Sequence, residues 1–251
     1  MTTSLRGKTA VVTGGSSGVG KATVAALVAE GVRVTAVARG ADRLRALKDE
    51  LGDAVATLQG DAADPSVSER IIREIRPDLV VLAAGVTPTM GPVDELDWDR
   101  FSEAWSSDVK TSFHFLRHAF ALPLAKGSTI VILSSGAAIG GSYLSGGYAG
   151  AKRMQWLLAG YAQKISDAKS LGIRTIAVLP KQLIVGTTIG DLAASTYAAT
   201  TGITAAEYMK RFSVPLDATK VAAAIMTALG GGVAAEVSAI GVSGTGFEPI
   251  G

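Results

Sequence analysis

Seven short apolar runs punctuate this chain, at 9–13, 32–38, 54–59, 79–85, 129–133, 174–180 and 237–240. Most are continuous rather than alternating, the pattern of strands buried on both faces of a parallel sheet. Stretches of helical composition separate them, at 21–30, 64–74, 94–122, from Tyr148 onward and at 219–229. Asp64-Pro65 opens the second of these with proline in the first turn. The stretch 94–122 reads as one long, mostly buried helical segment, with Trp98, Phe101, Trp105, Phe113, Phe115 and Phe120 as core. Strand and helix alternate throughout, which predicts an α/β fold: a doubly wound parallel sheet of about seven strands, helices on both faces. With no internal repeat and no linker, one domain spanning 1–251 is the expected count. Residues 184–212 interrupt the alternation late and are expected to form a substrate lid. Their apolar side chains Leu192, Tyr197, Tyr208, Met209 and Phe212 suit that role or a subunit contact equally. The glycine-rich end, 241–251, reads as a loop or tail.

Composition narrows the class. Of 251 residues, 48% are hydrophobic and 18% charged, enough apolar material for a large core and too little charge for a disordered chain. Net charge is +2 without a basic cluster, so a nucleic-acid partner is not expected. Cysteine is absent, which removes disulfides and thiolate metal sites and favours an intracellular, cytoplasmic setting. No apolar run reaches the ~18–20 residues of a membrane span, and residues 1–8 lack the apolar core of a signal peptide, so neither is expected.

The chemistry gathers at two places. Between the first run and the first helix lies Gly14-Gly15-Ser16-Ser17-Gly18-Val19-Gly20. Strand, glycine turn and helix is the context in which backbone N–H groups receive a phosphate. Arg39 ends the second run where an acidic residue would favour NAD; an arginine there accommodates a 2′-phosphate, so NADP is expected over NAD. Asp42 is a rival ribose ligand, although an acid is also favoured in a helix's first turn, and Arg43 is a second candidate for the phosphate. Asp61, followed by Ala62, either meets an adenine amino group or caps its loop. Ala84-Gly85 is small enough for a cofactor to lie against its backbone. The second place is Ser135, at the end of the 129–133 run, with Tyr148 and Lys152 beyond it. A phenol's ordinary pKa of about 10 makes it a poor proton carrier at neutral pH. A lysine ammonium one helical turn away favours the phenolate. His114 and His118 share a helical spacing that suits a metal, but no third ligand accompanies them, and no metal site is expected.

Taken together, the glycine stretch, Asp61, Ser135 and Tyr148-x-x-x-Lys152 resemble the short-chain dehydrogenase/reductase family, in order and at family spacing, over essentially the whole chain. The resemblance implies a Rossmann-like fold, NAD(P)-dependent hydride transfer between an alcohol and a carbonyl, and a homotetramer or homodimer. It assigns Tyr148 as acid/base, Ser135 as the donor to the substrate oxygen and Lys152 as ribose ligand and activator of Tyr148. It also brings Pro180 and Thr187 to the nicotinamide, Thr187 after two inserted residues. A non-catalytic NADP-binding sensor, or an epimerase or dehydratase on the same fold, remains open. The chain departs from the family in three places. Leu82-Ala83-Ala84-Gly85 replaces Asn-Asn-Ala-Gly, which should weaken hydrogen bonding around the cofactor. Lys181 replaces a glycine. Asp108 replaces a catalytic asparagine; as an acceptor it could hold a water in a relay to Lys152. The substrate is expected to be a small carbonyl or alcohol of apolar character.

Overall fold

The computed structural model describes residues 4–250. The apolar runs become strands β1 (Thr9–Thr13), β2 (Arg33–Ala38), β3 (Val55–Gln59), β4 (Leu79–Leu82), β5 (Thr129–Leu133) and β6 (Arg174–Pro180). Four more follow: β7 (Ile184–Val185), β8 (Leu216–Asp217), β9 (Ala239–Ser243) and β10 (Gly246–Pro249). Eight of them form one sheet in the order β10-β9-β6-β5-β4-β1-β2-β3, and β7 pairs with β8 in a small separate ladder. Every pairing in the large sheet is parallel except the terminal β9–β10 hairpin.

The continuous apolar runs are explained by the two-residue alternation of a strand whose faces are both covered. Val12, Val81, Val131, Val178 and Ile240 face one core, shared with α1 (Gly18–Ala29), α2 (Ala41–Leu51) and α9 (Ala218–Leu229). Val11, Val80, Ile130, Ala177 and Leu179 face the other, beneath α5 (Lys110–Ala121) and α6 (Tyr148–Ala168). Phe115 is completely buried there.

The register puts the site at one edge. Thr13 pairs with Leu82, Leu82 with Ile132, and Leu133 with Val178, so the carboxyl ends of β1, β4, β5 and β6 lie side by side. The chain winds one way from β1 to β3 and the other from β4 to β6. The crevice between β1 and β4 is therefore the switch point at which such sheets take ligands.

Several expectations change in detail. The 241–251 tail instead supplies most of a hairpin: β9 runs on to Ser243, the chain reverses, and β10 adds an eighth strand to the expected seven. The 94–122 stretch is not one buried helix. It comprises α4 (Trp98–Ala104), one widened turn of π geometry (Trp105–Val109) and α5. Its aromatic side chains divide by face: Trp98, Trp105 and Phe113 are 73%, 38% and 49% exposed, and only Phe115 is fully buried. Asp64 caps α3 (Pro65–Arg70) through the Ser66 N–H, and the helix then widens over Ile71–Ile75. The insertion at 184–212 is mostly helical, holding α7 (Thr188–Ala199) and α8 (Ala205–Met209).

Candidate active site

The glycine loop is built by close approach. A Cβ on Gly14, which has φ +67°, would stand 2.7 Å from the Ala83 carbonyl oxygen, so only glycine lets β1 turn against the end of β4. A Cβ on Gly20 would collide with the Gly14 carbonyl. The two glycines lock the start of α1 onto the loop. Ser17 stands at the N-cap without a side-chain cap bond, and no acid occupies the first turn. Helix α1 thus presents uncapped N–H groups and the positive end of its dipole at the crevice, with Ser16 and Ser17 beside them. Gly18 and Val19 open that helix. Free N–H groups of this kind are the donors that a diphosphate would need.

At the end of β2, Arg39 is exposed, and among the described residues no carboxylate pairs with it. Asp42 pairs with Arg45 at 3.1 Å. Asp61 does cap its loop, accepting from the Ala63 N–H at 2.9 Å through one oxygen, with Ala62 buried beside it. Its other oxygen makes no protein hydrogen bond among the described residues, so loop capping and a ligand contact are compatible.

Beyond β4 the missing asparagine amides are replaced by other partners. The Ala84 N–H donates to Thr13 Oγ1 at 3.1 Å, and the Val86 N–H donates to Asp108 Oδ1 at 3.0 Å. A Cβ on Gly85 would stand 2.8 Å from Asp108 Oδ2, so glycine there leaves room for the carboxylate. Asp108 reaches this loop because the widened turn between α4 and α5 turns it inward.

Ser135 follows β5 and caps the short turn Gly136–Ala138, its Oγ accepting from the Ala137 N–H at 3.2 Å. Ser134 points the other way, buried, and donates to the Lys152 carbonyl at 2.7 Å. This bond ties the end of β5 to the first turns of α6. On that helix Lys152 Nζ lies 5.5 Å from the centre of the Tyr148 ring. The ammonium is held on its far side by Asp108 Oδ2 at 2.9 Å, by Gln155 Oε1 at 2.8 Å and by the Leu133 carbonyl at 3.3 Å. Burial opposes the charge on Lys152, yet attraction to Asp108 and Tyr148 outweighs it and holds its pKa above the ordinary lysine value. Gln155 completes the cluster by donating to the Asp108 carbonyl at 3.1 Å and to Ser112 Oγ at 2.9 Å. Lys152 is therefore in direct contact with Asp108, where the sequence alone allowed a bridging water. Sequence reasoning missed Gln155, although its position three residues after Lys152 places it on the same helical face.

Two expected residues lie at the margin. Pro180 ends β6, and its carbonyl packs 2.9 Å from the Cβ position of Gly136. Lys181 turns outward to pair with Glu248 on β10. Thr187 caps α7, donating to the Ile184 carbonyl at 2.8 Å and accepting from the Gly190 N–H at 3.1 Å, which commits its hydroxyl. Its methyl lies 3.7 Å from the Cβ position of Gly18, so the start of α7 reaches the glycine loop. The histidines are taken up locally: His118 Nδ1 meets Ser68 Oγ at 2.9 Å, and the His114 ring stacks on His118.

A family profile described as short chain dehydrogenase matches residues 8–191. The chain is 34% identical over 153 residues to cis-1,2-dihydrobenzene-1,2-diol dehydrogenase of Pseudomonas putida, covering 57% of this chain and 54% of that one, about half its length. It is 30% identical over 191 residues to 2,5-dichloro-2,5-cyclohexadiene-1,4-diol dehydrogenase of Sphingobium indicum, covering 70% and 72% of the two chains. The fold is that of a crystal structure of levodione reductase, with a TM-score of 0.83 at 22% identity over 96% of this chain and 97% of the other. The chain belongs to the short-chain dehydrogenase family.

Proposed function

We propose that this protein is an NADP(H)-dependent oxidoreductase that interconverts a secondary alcohol and its carbonyl. The observation that carries this reading is the placement of Lys152, buried and 5.5 Å from the Tyr148 ring, at the same sheet edge as Ser135 and the glycine cradle. When bound, the nicotinamide supplies or accepts the hydride. Residues 14–20, Asp61, Ala62, Ala84 and Gly85 would hold the cofactor, and Arg39 its 2′-phosphate. In the reductive direction Tyr148 gives its proton to the substrate oxygen, while Ser135 donates a hydrogen bond that holds that oxygen. In the oxidative direction Tyr148 takes the proton back. Lys152 keeps a positive charge beside the phenol.

The dihydrodiol relatives favour a cyclic secondary alcohol or diol as substrate. The exposed Ile139 and Tyr143, in the loop beyond Ser135, would give such a ring an apolar approach. The whole chain acts as one domain in this reading, with 184–212 closing over the substrate. The exposed face of α4, α5 and α6, carrying Trp98, Trp105, Phe113 and Leu158 around an apolar hollow, would pack against a second copy. A monomeric sedimentation coefficient at micromolar concentration would contradict that contact. No described helix is long and apolar enough to cross a membrane, and a cytoplasmic location suits the cysteine-free chain.

Paired fluorescence titrations with NADPH and NADH test the cofactor directly. NADPH should bind at least tenfold more tightly, a difference of about 1.4 kcal/mol. Arg39→Ala should abolish that preference while leaving NADH binding within about twofold. A preference for NADH in the unaltered protein would overturn the assignment. Consumption of NADPH with a carbonyl substrate separates a reductase from an epimerase or a cofactor sensor.

A further inference from the structure

The least economical feature of the site is a complete ion pair sealed beside it. Lys152 and Asp108 meet at 2.9 Å with side chains 7% and 0% exposed. The carboxylate keeps the buried lysine charged, but at contact distance the same anion cancels much of the field that the phenol experiences. Every other contact of the cluster fixes the pair in place. The Gln155 amide bridges Lys152 Nζ and the Asp108 carbonyl, Ser112 Oγ accepts from the same amide, and Val86 N–H pins the other carboxylate oxygen. The charged and titratable groups in this cluster are Tyr148 and Lys152 from α6 and Asp108 from the widened turn. Ser112 from α5, the Leu133 carbonyl from β5 and Gln155 are neutral.

We propose that Asp108 is a positioning residue that holds Lys152 as a neutralised pair and thereby sets the pH at which alcohol oxidation through Tyr148 begins. The inference rests on the reading of Tyr148 as the proton acceptor. Because the carboxylate offsets the ammonium, oxidation in this protein sets in at a more alkaline pH than an unpaired lysine would allow. Through Val86 and Gly85 the same carboxylate fixes the loop at the end of β4, so charge and loop position are governed by one side chain.

Two variants move the charge in opposite directions. Asp108→Asn preserves shape and an acceptor for Val86 but removes the anion, and the acid limb of kcat for alcohol oxidation should shift down by about one pH unit or more. Gln155→Glu adds an anion next to Lys152 and should shift the limb upward. A second readout needs neither substrate nor cofactor. In a chain labelled with [13Cε]lysine, the Lys152 resonance, identified by its loss in Lys152→Met, should keep its proton to higher pH than the surface lysines. In Asp108→Asn it should titrate earlier. An unmoved limb in either folded variant overturns the proposal, as does a Lys152 titration indifferent to Asp108. Failure of both variants to fold would make the pair a purely structural device and overturn it too. A wild-type protein inactive on every alcohol would instead remove the functional reading beneath it, and the lysine titration would still decide whether the pair governs Lys152.

Discussion

Tyr197 on α7 meets Ser142, in the loop beyond Ser135, through a hydroxyl–hydroxyl hydrogen bond of 2.9 Å. Ser142 is bonded in turn to Ser145, at the approach to α6, and Tyr197 stacks on Tyr208 of α8 with ring centres 5.7 Å apart. The inserted helices are thus fastened to the loop that leads from Ser135 to Tyr148. Loss of one such bond costs about 1 kcal/mol, roughly a fivefold rise in any locally opened form. Tyr197→Phe keeps the stack and removes only the hydroxyl. Limited proteolysis should cleave within 186–212 about five times faster in that variant, with thermal stability nearly unchanged. An unaltered cleavage rate would mean that the latch does not hold the insertion.

Gly20→Ala tests the cradle without touching any polar group. The added methyl would collide with the Gly14 carbonyl, displacing the N-terminal turn of α1 from the loop. Overpacking of this kind costs about 1–3 kcal/mol. NADPH affinity should fall at least tenfold, measured by fluorescence titration, while the circular dichroism spectrum stays that of the parent.

Stability should fall in mildly acid solution because of His114. Burial first, then the neighbouring charges of Lys110, His118 and Arg117, hold its pKa below the ordinary histidine value. Below about pH 6.5 the unfolded chain therefore binds a proton that the folded chain resists. Stability is full above that pH and declines as pH falls through the lower folded value. Urea midpoints at pH 7.5 and pH 5.5 should differ more for the parent protein than for His114→Gln. Equal differences would show that other groups carry the acid sensitivity.

The sheet was legible because its strands are apolar on both faces, a signal that 79–85 and 129–133 carry without interruption. The eighth strand was not. Residues 246–249 are exposed throughout, so no buried face marks them, and pairing with β9 alone makes them a strand. The 94–122 aromatics were misjudged because helical spacing reports that residues share a face, not which face is covered; Phe113 and Phe115 are two apart and lie on opposite sides. At the site, the four-residue spacing of Tyr148 and Lys152 on one helix was enough to bring the ammonium to the ring. The Asp108–Lys152 contact was beyond reach, since it depends on a widened turn that no local residue pattern announces.

Turnover in Tyr148→Phe tests the central claim most directly, because the substitution removes one oxygen from a side chain anchored by a helix. With NADP+ and a cyclic secondary alcohol accepted by the parent protein, kcat should fall at least a thousandfold, about 4 kcal/mol or more. NADPH should still bind within about threefold of the parent. Retention of a tenth or more of the parent kcat would contradict Tyr148 as the proton-transferring group.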